Sequence, residues 1–96
     1  MSRATIEYKN CNNGKNREDL ILVDKDGLAI VPLLSSINEH AGNISLAIYC
    51  ASNTLFNNIF NKNDSNGNVC KITIEGKNET LIIEDCGNYL KVSKKI

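Results

Sequence analysis

One histidine, four cysteines and two neighbouring aspartates are the side chains of this 96-residue chain whose types could do chemistry. His40 stands alone, with no cysteine spaced to lie beside it, so neither a Cys/His nucleophile pair nor a metal-ligand set is formed. A cap-region or surface histidine is expected. Asp24 and Asp26 could serve as paired carboxylates for acid/base work, but no pocket-forming residues surround them, and they read as turn formers. Gly14-Lys15 lacks the upstream glycine and the preceding buried strand of a phosphate loop. If Gly67 held the glycine place of a calcium loop, Lys62 and Thr73 would fall where acidic oxygens are needed, so that loop is a turn. Cys11, Cys50, Cys70 and Cys86 form no C-x-x-C pair, and free, mostly buried thiols are expected. No catalytic, metal or cofactor-binding residue emerges, and an enzyme is not expected.

The elements that carry these residues are those of one small domain, residues 1–96, with residues 1–19 weakly structured. A chain this short buries a modest share of its surface, and a partner subunit could add to that burial. Eleven basic and eleven acidic side chains give a formal net charge of zero. Nucleic acid is not expected as a partner, because no basic stripe tracks phosphates. Lys91, Lys94 and Lys95 read as a solvated tail. No apolar run could span a bilayer and Met1-Ser2-Arg3 opens no signal-peptide core, so a cytoplasmic location without direct membrane insertion is expected. Sequons at Asn43, Asn63 and Asn78 read as chance among fifteen asparagines.

Thr5 to Lys9 alternates weakly like a strand, and Asn10 to Arg17 reads as loop. Leu20 to Val23 and Leu28 to Val31 are continuous apolar runs joined by Asp24-Lys25-Asp26-Gly27, a strong hairpin signal with Gly27 supplying positive φ. Continuous apolarity predicts central strands covered on both faces, the second ended by Pro32. Ser36 and Glu39 form a capping box. A helix then runs to about Phe60, and Ile37, Ala41, Ile44, Ile48, Ala51, Leu55 and Ile59 form the stripe expected to pack on the sheet. Asn61 to Asn68 stops it. Val69 to Glu75, Thr80 to Glu84 and Asn88 to Val92 make an antiparallel meander. The fold class expected is α+β: a five-stranded antiparallel sheet in the chain order β-β-α-β-β-β with one long helix on one face.

The helix carries a second apolar set, Leu46, Tyr49, Phe56 and Phe60, roughly 100° to 180° from the first stripe. One sheet cannot bury both. Gly42 on the same flank would let another backbone approach, so the seam suits a partner helix. The other reading folds the N-terminal segment over these aromatics, although Met1 to Asn16 holds few large apolar residues.

The hairpin Leu-Ile-Leu-Val-Asp-Lys-Asp-Gly-Leu-Ala-Ile-Val of residues 20–31, the order of elements, and the closing Ile82-Ile83 and Tyr89-Leu90-Lys91-Val92 strands resemble the Roadblock family, named for a dynein light chain. The resemblance spans about residues 18 to 93 and rests on a diffuse pattern. It implies a dimer with sheets joined edge to edge and long helices paired. The dimer interface it places here, together with the helix seam, comprises Gly42, Leu46, Tyr49, Asn53, Phe56, Phe60, Val69, Lys71, Thr73 and Glu75. It further implies a non-catalytic homodimeric or heterodimeric scaffold for a small Ras-like GTPase, or a light-chain-like structural adaptor joining cargo or membrane anchors to a larger complex. Terminal helices that many members carry are short or absent here. A ligand sensor with Cys50, Cys70 and Tyr89 lining a pocket is the third class of function.

Overall fold

The computed structural model describes residues 16–25, 30–62 and 67–96. Five strands and one helix follow one another as β1 (Arg17–Asp24), β2 (Ile30–Pro32), α1 (Glu39–Ile59), β3 (Lys71–Glu75), β4 (Thr80–Asp85) and β5 (Tyr89–Lys95). They form one antiparallel sheet in the spatial order β2-β1-β5-β4-β3, with α1 across one face. The α+β class and the chain order are therefore as expected. The hairpin pairs Leu22 with Val31 and Val23 with Ile30, while Gly27, on which its turn depends, lies outside the described residues.

Two features of the hairpin differ from the sequence reading. Only β1 is central; β2 is an edge strand, with Val31 exposed. Pro32 fits that position, because a residue without N–H is tolerated where no ladder partner is needed. The second is a bulge: Asp19 pairs with Ser93 but Ile21 with Val92, so Leu20 is the extra residue. A bulge re-aims side chains, and here it lets consecutive Leu20 and Ile21 both join the core under α1.

That core is Leu20, Ile21, Val23, Tyr49, Ile83, Leu90 and Val92. The residues of the opposite face, Leu22, Ile82, Glu84, Lys91 and Ser93, are buried too. Lys91 is thus not part of a solvated basic tail: its ammonium lies 3.8 Å from Asp19 Oδ1, and Arg17 pairs with Glu84 on the same face.

The capping box does not form. Asn38 is the N-cap, its extended backbone letting Oδ1 accept from the Ala41 N–H at 3.1 Å; asparagine caps as well as serine because its short side chain reaches the same orphan amide. At the other end Asn61 adopts φ of 53° and the Lys62 N–H donates to Asn57 O at 2.9 Å, a left-handed stop that satisfies an end carbonyl. Cys86, after β4, is disulfide-bonded, whereas Cys50 and Cys70 are free and exposed. The expectation of four free, mostly buried thiols is corrected, and because disulfides persist mainly in oxidising compartments the bond runs against the cytoplasmic expectation. Among the described residues no helix is long and apolar enough to cross a membrane.

Candidate interaction surface

The face that α1 turns to the sheet is fixed by Tyr49. Its ring is buried, only 4% exposed, and its hydroxyl donates to Asp85 Oδ2 at 2.6 Å. Lys25 Nζ donates to the other carboxylate oxygen at 2.7 Å and sits 5.5 Å from the ring centroid, while the Gly87 N–H donates to Oδ1 at 3.0 Å. Gly67 packs on the phenol so closely that a Cβ there would lie 2.3 Å from its oxygen. One turn on, Asn53 Oδ1 accepts from the N–H groups of Asn68 and Val69 at 3.1 and 2.9 Å, tying the approach to β3 onto the helix.

These contacts correct the assignment of helix faces. Tyr49 and Gly42 are buried within the chain and cannot meet a partner; Leu46, Asn53, Phe56 and Val69 are half-buried, with Leu46 and Val69 packed against the core. Phe56 stacks on Phe60 at a centroid distance of 4.6 Å, and of the four seam residues Phe60 alone is largely exposed. The stripe expected to face the sheet instead points outward over much of its length. Ile44 is 47% exposed, Leu55 61% and Ile59 63%; only Ile37, Ala41 and Ile48 pack partly on the core. The helix is rotated by roughly 100° from the sequence reading.

Ile44 and Ile48, from the N-terminal half of the stripe, adjoin the β3 side of the sheet. A cleft of about 280 Å³ runs between Ile37, just before α1, with Ile44 and Ile48 of α1, and Ile74, Leu81 and Ile83 of the sheet, its lining almost wholly apolar. Ser45 is the polar residue there, and its hydroxyl is committed to Ala41 O at 2.8 Å. Ile74 and Leu81 are themselves exposed. Beyond them β3 is the edge strand, paired only with β4, and Lys71, Thr73 and Glu75 are exposed as the sequence expectation requires. Isolated exposed hydrophobic residues are ordinary, but a contiguous set flanking an unpaired strand marks an interaction surface.

The residues considered for chemistry stay apart. His40 is exposed in the first turn of α1, Asp26 and Gly14-Lys15 lie outside the described residues, and among the described residues no group of three His, Cys, Asp or Glu could hold a metal. Tyr89 lines a separate polar cleft of about 470 Å³ with Asp24 and Lys25; it does not line the apolar cleft, nor do Cys50 and Cys70. The described residues define a two-layer α+β domain whose sheet ends in the edge strands β2 and β3. No protein-family model matches the chain, and no curated protein matches it.

The Tyr49–Asp85 contact gives the domain a pH signature. Burial, opposed by the Asn53 bond and reinforced by Asp85, pushes the Tyr49 hydroxyl from 10.0 up to about 12. Burial would also raise the Asp85 carboxyl, but bonds from Lys25, Tyr49 and Gly87 outweigh it and hold the carboxyl below its ordinary value. A raised folded-state pKa contributes stability that is complete below the unfolded pKa and lost as pH rises through the folded one. The stability due to Tyr49 is therefore expected to fall as pH climbs from about 10 to about 12. The depressed Asp85 contributes stability above its unfolded pKa, which is lost as pH falls through the folded value. Urea midpoints measured across pH check both limbs. Tyr49→Phe should remove the tyrosine part of the alkaline limb and cost about 1–2 kcal/mol at neutral pH by leaving an Asp85 oxygen without its donor.

Proposed function

We propose that this chain is a non-catalytic dimeric scaffold of the Roadblock kind that binds a small Ras-like GTPase and regulates its nucleotide cycle. The observation that carries the reading is the exposed Ile44 of α1 sharing an apolar cleft with exposed Ile74 on the edge strand β3. Those are the two surfaces, helix and sheet edge, through which the family resemblance joins one protomer to another. A scaffold of this kind needs no catalytic side chain. By binding one conformation of the switch loops more tightly than the other it shifts their populations, and only that difference in affinity does the work.

Purified chain titrated with Ras-like GTPases, loaded with GDP or with a non-hydrolysable GTP analogue, tests this reading. The expected result is a preference of tenfold or more for one nucleotide state, equivalent to about 1.4 kcal/mol of differential affinity. Tight binding indifferent to the nucleotide would favour the light-chain-like adaptor, and no binding to any GTPase would remove the regulator. Because Cys86 is disulfide-bonded, the titration is run both with reductant and without.

A further inference from the structure

Beyond the scaffold reading and independent of it, we infer that the apolar cleft between α1 and the sheet is a binding site for one free, unbranched aliphatic carboxylate, its tail in the cleft and its head group at Lys94. Every residue involved belongs to a single copy of the chain.

The cleft is there because of side-chain size. Ala41, Ser45 and Tyr49 follow one another at intervals of four and so stand on one face of the helix. Ser45 and Tyr49 are buried and Ala41 packs against the core. The Tyr49 ring fills its end of the layer, whereas Ala41 and Ser45, too small to fill theirs, line a cavity of about 280 Å³. Interiors are close-packed, and a void forfeits contacts along its walls. Engineered apolar cavities of about 150 Å³ stay dry and take up benzene or xenon.

The shape selects the ligand. The lining crosses four strands, from Leu20 on β1 through Val92 and Leu81 to Ile74 on β3, a span of about 14 Å at ordinary strand spacing. The volume spread over that span leaves a section of roughly 20 Å², about that of a single alkyl chain. A methylene takes up about as much room as a water molecule's share of the liquid, about 30 Å³, so the cleft holds about nine carbons. Ser45 Oγ is committed to Ala41 O, so the part of the ligand inside must be hydrocarbon.

The head group is placed by register. Lys94 stands directly opposite Leu81 on one side and Glu18 on the other, and directly opposed residues share a face, so its ammonium borders the lining. It lies 3.4 Å from Glu18 Oε1 with both side chains well exposed, and such pairs are weak. An ammonium has three donors, so a carboxylate emerging beside Leu81 takes those that Glu18 leaves. The chain has no net charge to draw it to an anionic bilayer, which favours a free acid over a membrane lipid.

Calorimetric titration of the purified chain with straight-chain carboxylates from hexanoate to dodecanoate, each beside its alcohol, tests the site. Affinity should rise about fourfold per carbon, the factor for burying one methylene, and level off near nonanoate, where the cleft is full. Lys94→Gln should weaken the carboxylates about fivefold and leave nonanol unchanged. Glu18→Gln should strengthen the carboxylates, since it removes the competing acceptor. Ser45→Leu, which fills the cleft, should abolish binding of acid and alcohol alike; circular dichroism reports its folding, and the wild-type series decides alone if that variant unfolds. A rise that continues unbroken to dodecanoate would mean adsorption to exposed apolar surface, and no heat with any ligand would mean no site; either overturns the inference. Acid and alcohol weakened equally by Lys94→Gln would overturn the head-group assignment, and co-sedimentation with phosphatidylserine vesicles without response to free acids would make the occupant a bilayer lipid. None of these outcomes bears on the GTPase titration, so the two readings fail separately.

Discussion

Tyr49→Glu is expected to unfold the chain. The ring it removes is 4% exposed and belongs to the core cluster, and truncating a buried aromatic costs about 3–5 kcal/mol from lost burial and the cavity left behind. The new carboxylate would then stand where the phenol donates to Asp85, placing two like charges together in a dry site, which adds to the loss. Small domains are stable by only about 5–15 kcal/mol, and a chain of 96 residues has little to spare. Circular dichroism and a urea titration at neutral pH should show largely unfolded protein. The sequence reading, with Tyr49 at the surface between protomers, expects the same variant to be a monomer of reduced stability. A cooperative transition near the wild-type midpoint would therefore return Tyr49 to the surface.

Leu55→Glu combined with Ile59→Glu should do the opposite, giving a folded chain that no longer dimerises. Both residues are more than half exposed, at 61% and 63%, and surface substitutions usually change stability by no more than about 0.5 kcal/mol each. In the dimer, each copy would bring two carboxylates into the apolar seam between helices. Burying even one unpaired charge there costs several kcal/mol, so dissociation should be eased by at least a hundredfold. Sedimentation should report a monomer, with a thermal midpoint close to that of dissociated wild type. A variant that remains dimeric would place the helix contact elsewhere on α1.

The contrast between these two variants shows where the sequence was readable and where it was not. Turn residues and apolar runs placed the hairpin, the helix and the meander, because each rests on local rules: Pro32 closing a strand, and the polar run from Asn61 to Asn68 stopping the helix. The rotation of α1 about its axis is not local. Two apolar sets compete for the sheet, and the longer one, from Ile37 to Ile59, wins on periodicity alone. Tyr49 wins in the folded chain because Asp85 and the backbone at Gly67 receive its hydroxyl and ring, and both are distant in sequence. The bulge at Leu20 is hidden for a similar reason: four consecutive apolar residues read as a strand covered on both faces, with or without an extra residue in the ladder. The Cys86 bond is hidden because cysteine spacing does not determine connectivity. The candidate surface was half legible, with Lys71, Thr73, Glu75 and Phe60 exposed and the rest of the expected interface turned inward.

The two edges of the sheet are unequal, and that inequality sets how far assembly can go. An edge of five residues without proline, β3, can accept a neighbour, whereas β2 ends in Pro32, which has no N–H to give. Were both edges competent, β2 of one molecule could add to β3 of the next, and head-to-tail growth would continue without limit into a fibre. With only β3 competent, pairing two copies consumes the one usable edge of each, and both outer margins of the ten-stranded sheet that results are β2. Were two copies to pair through β3, association would stop there, and the chain could be concentrated without polymerising.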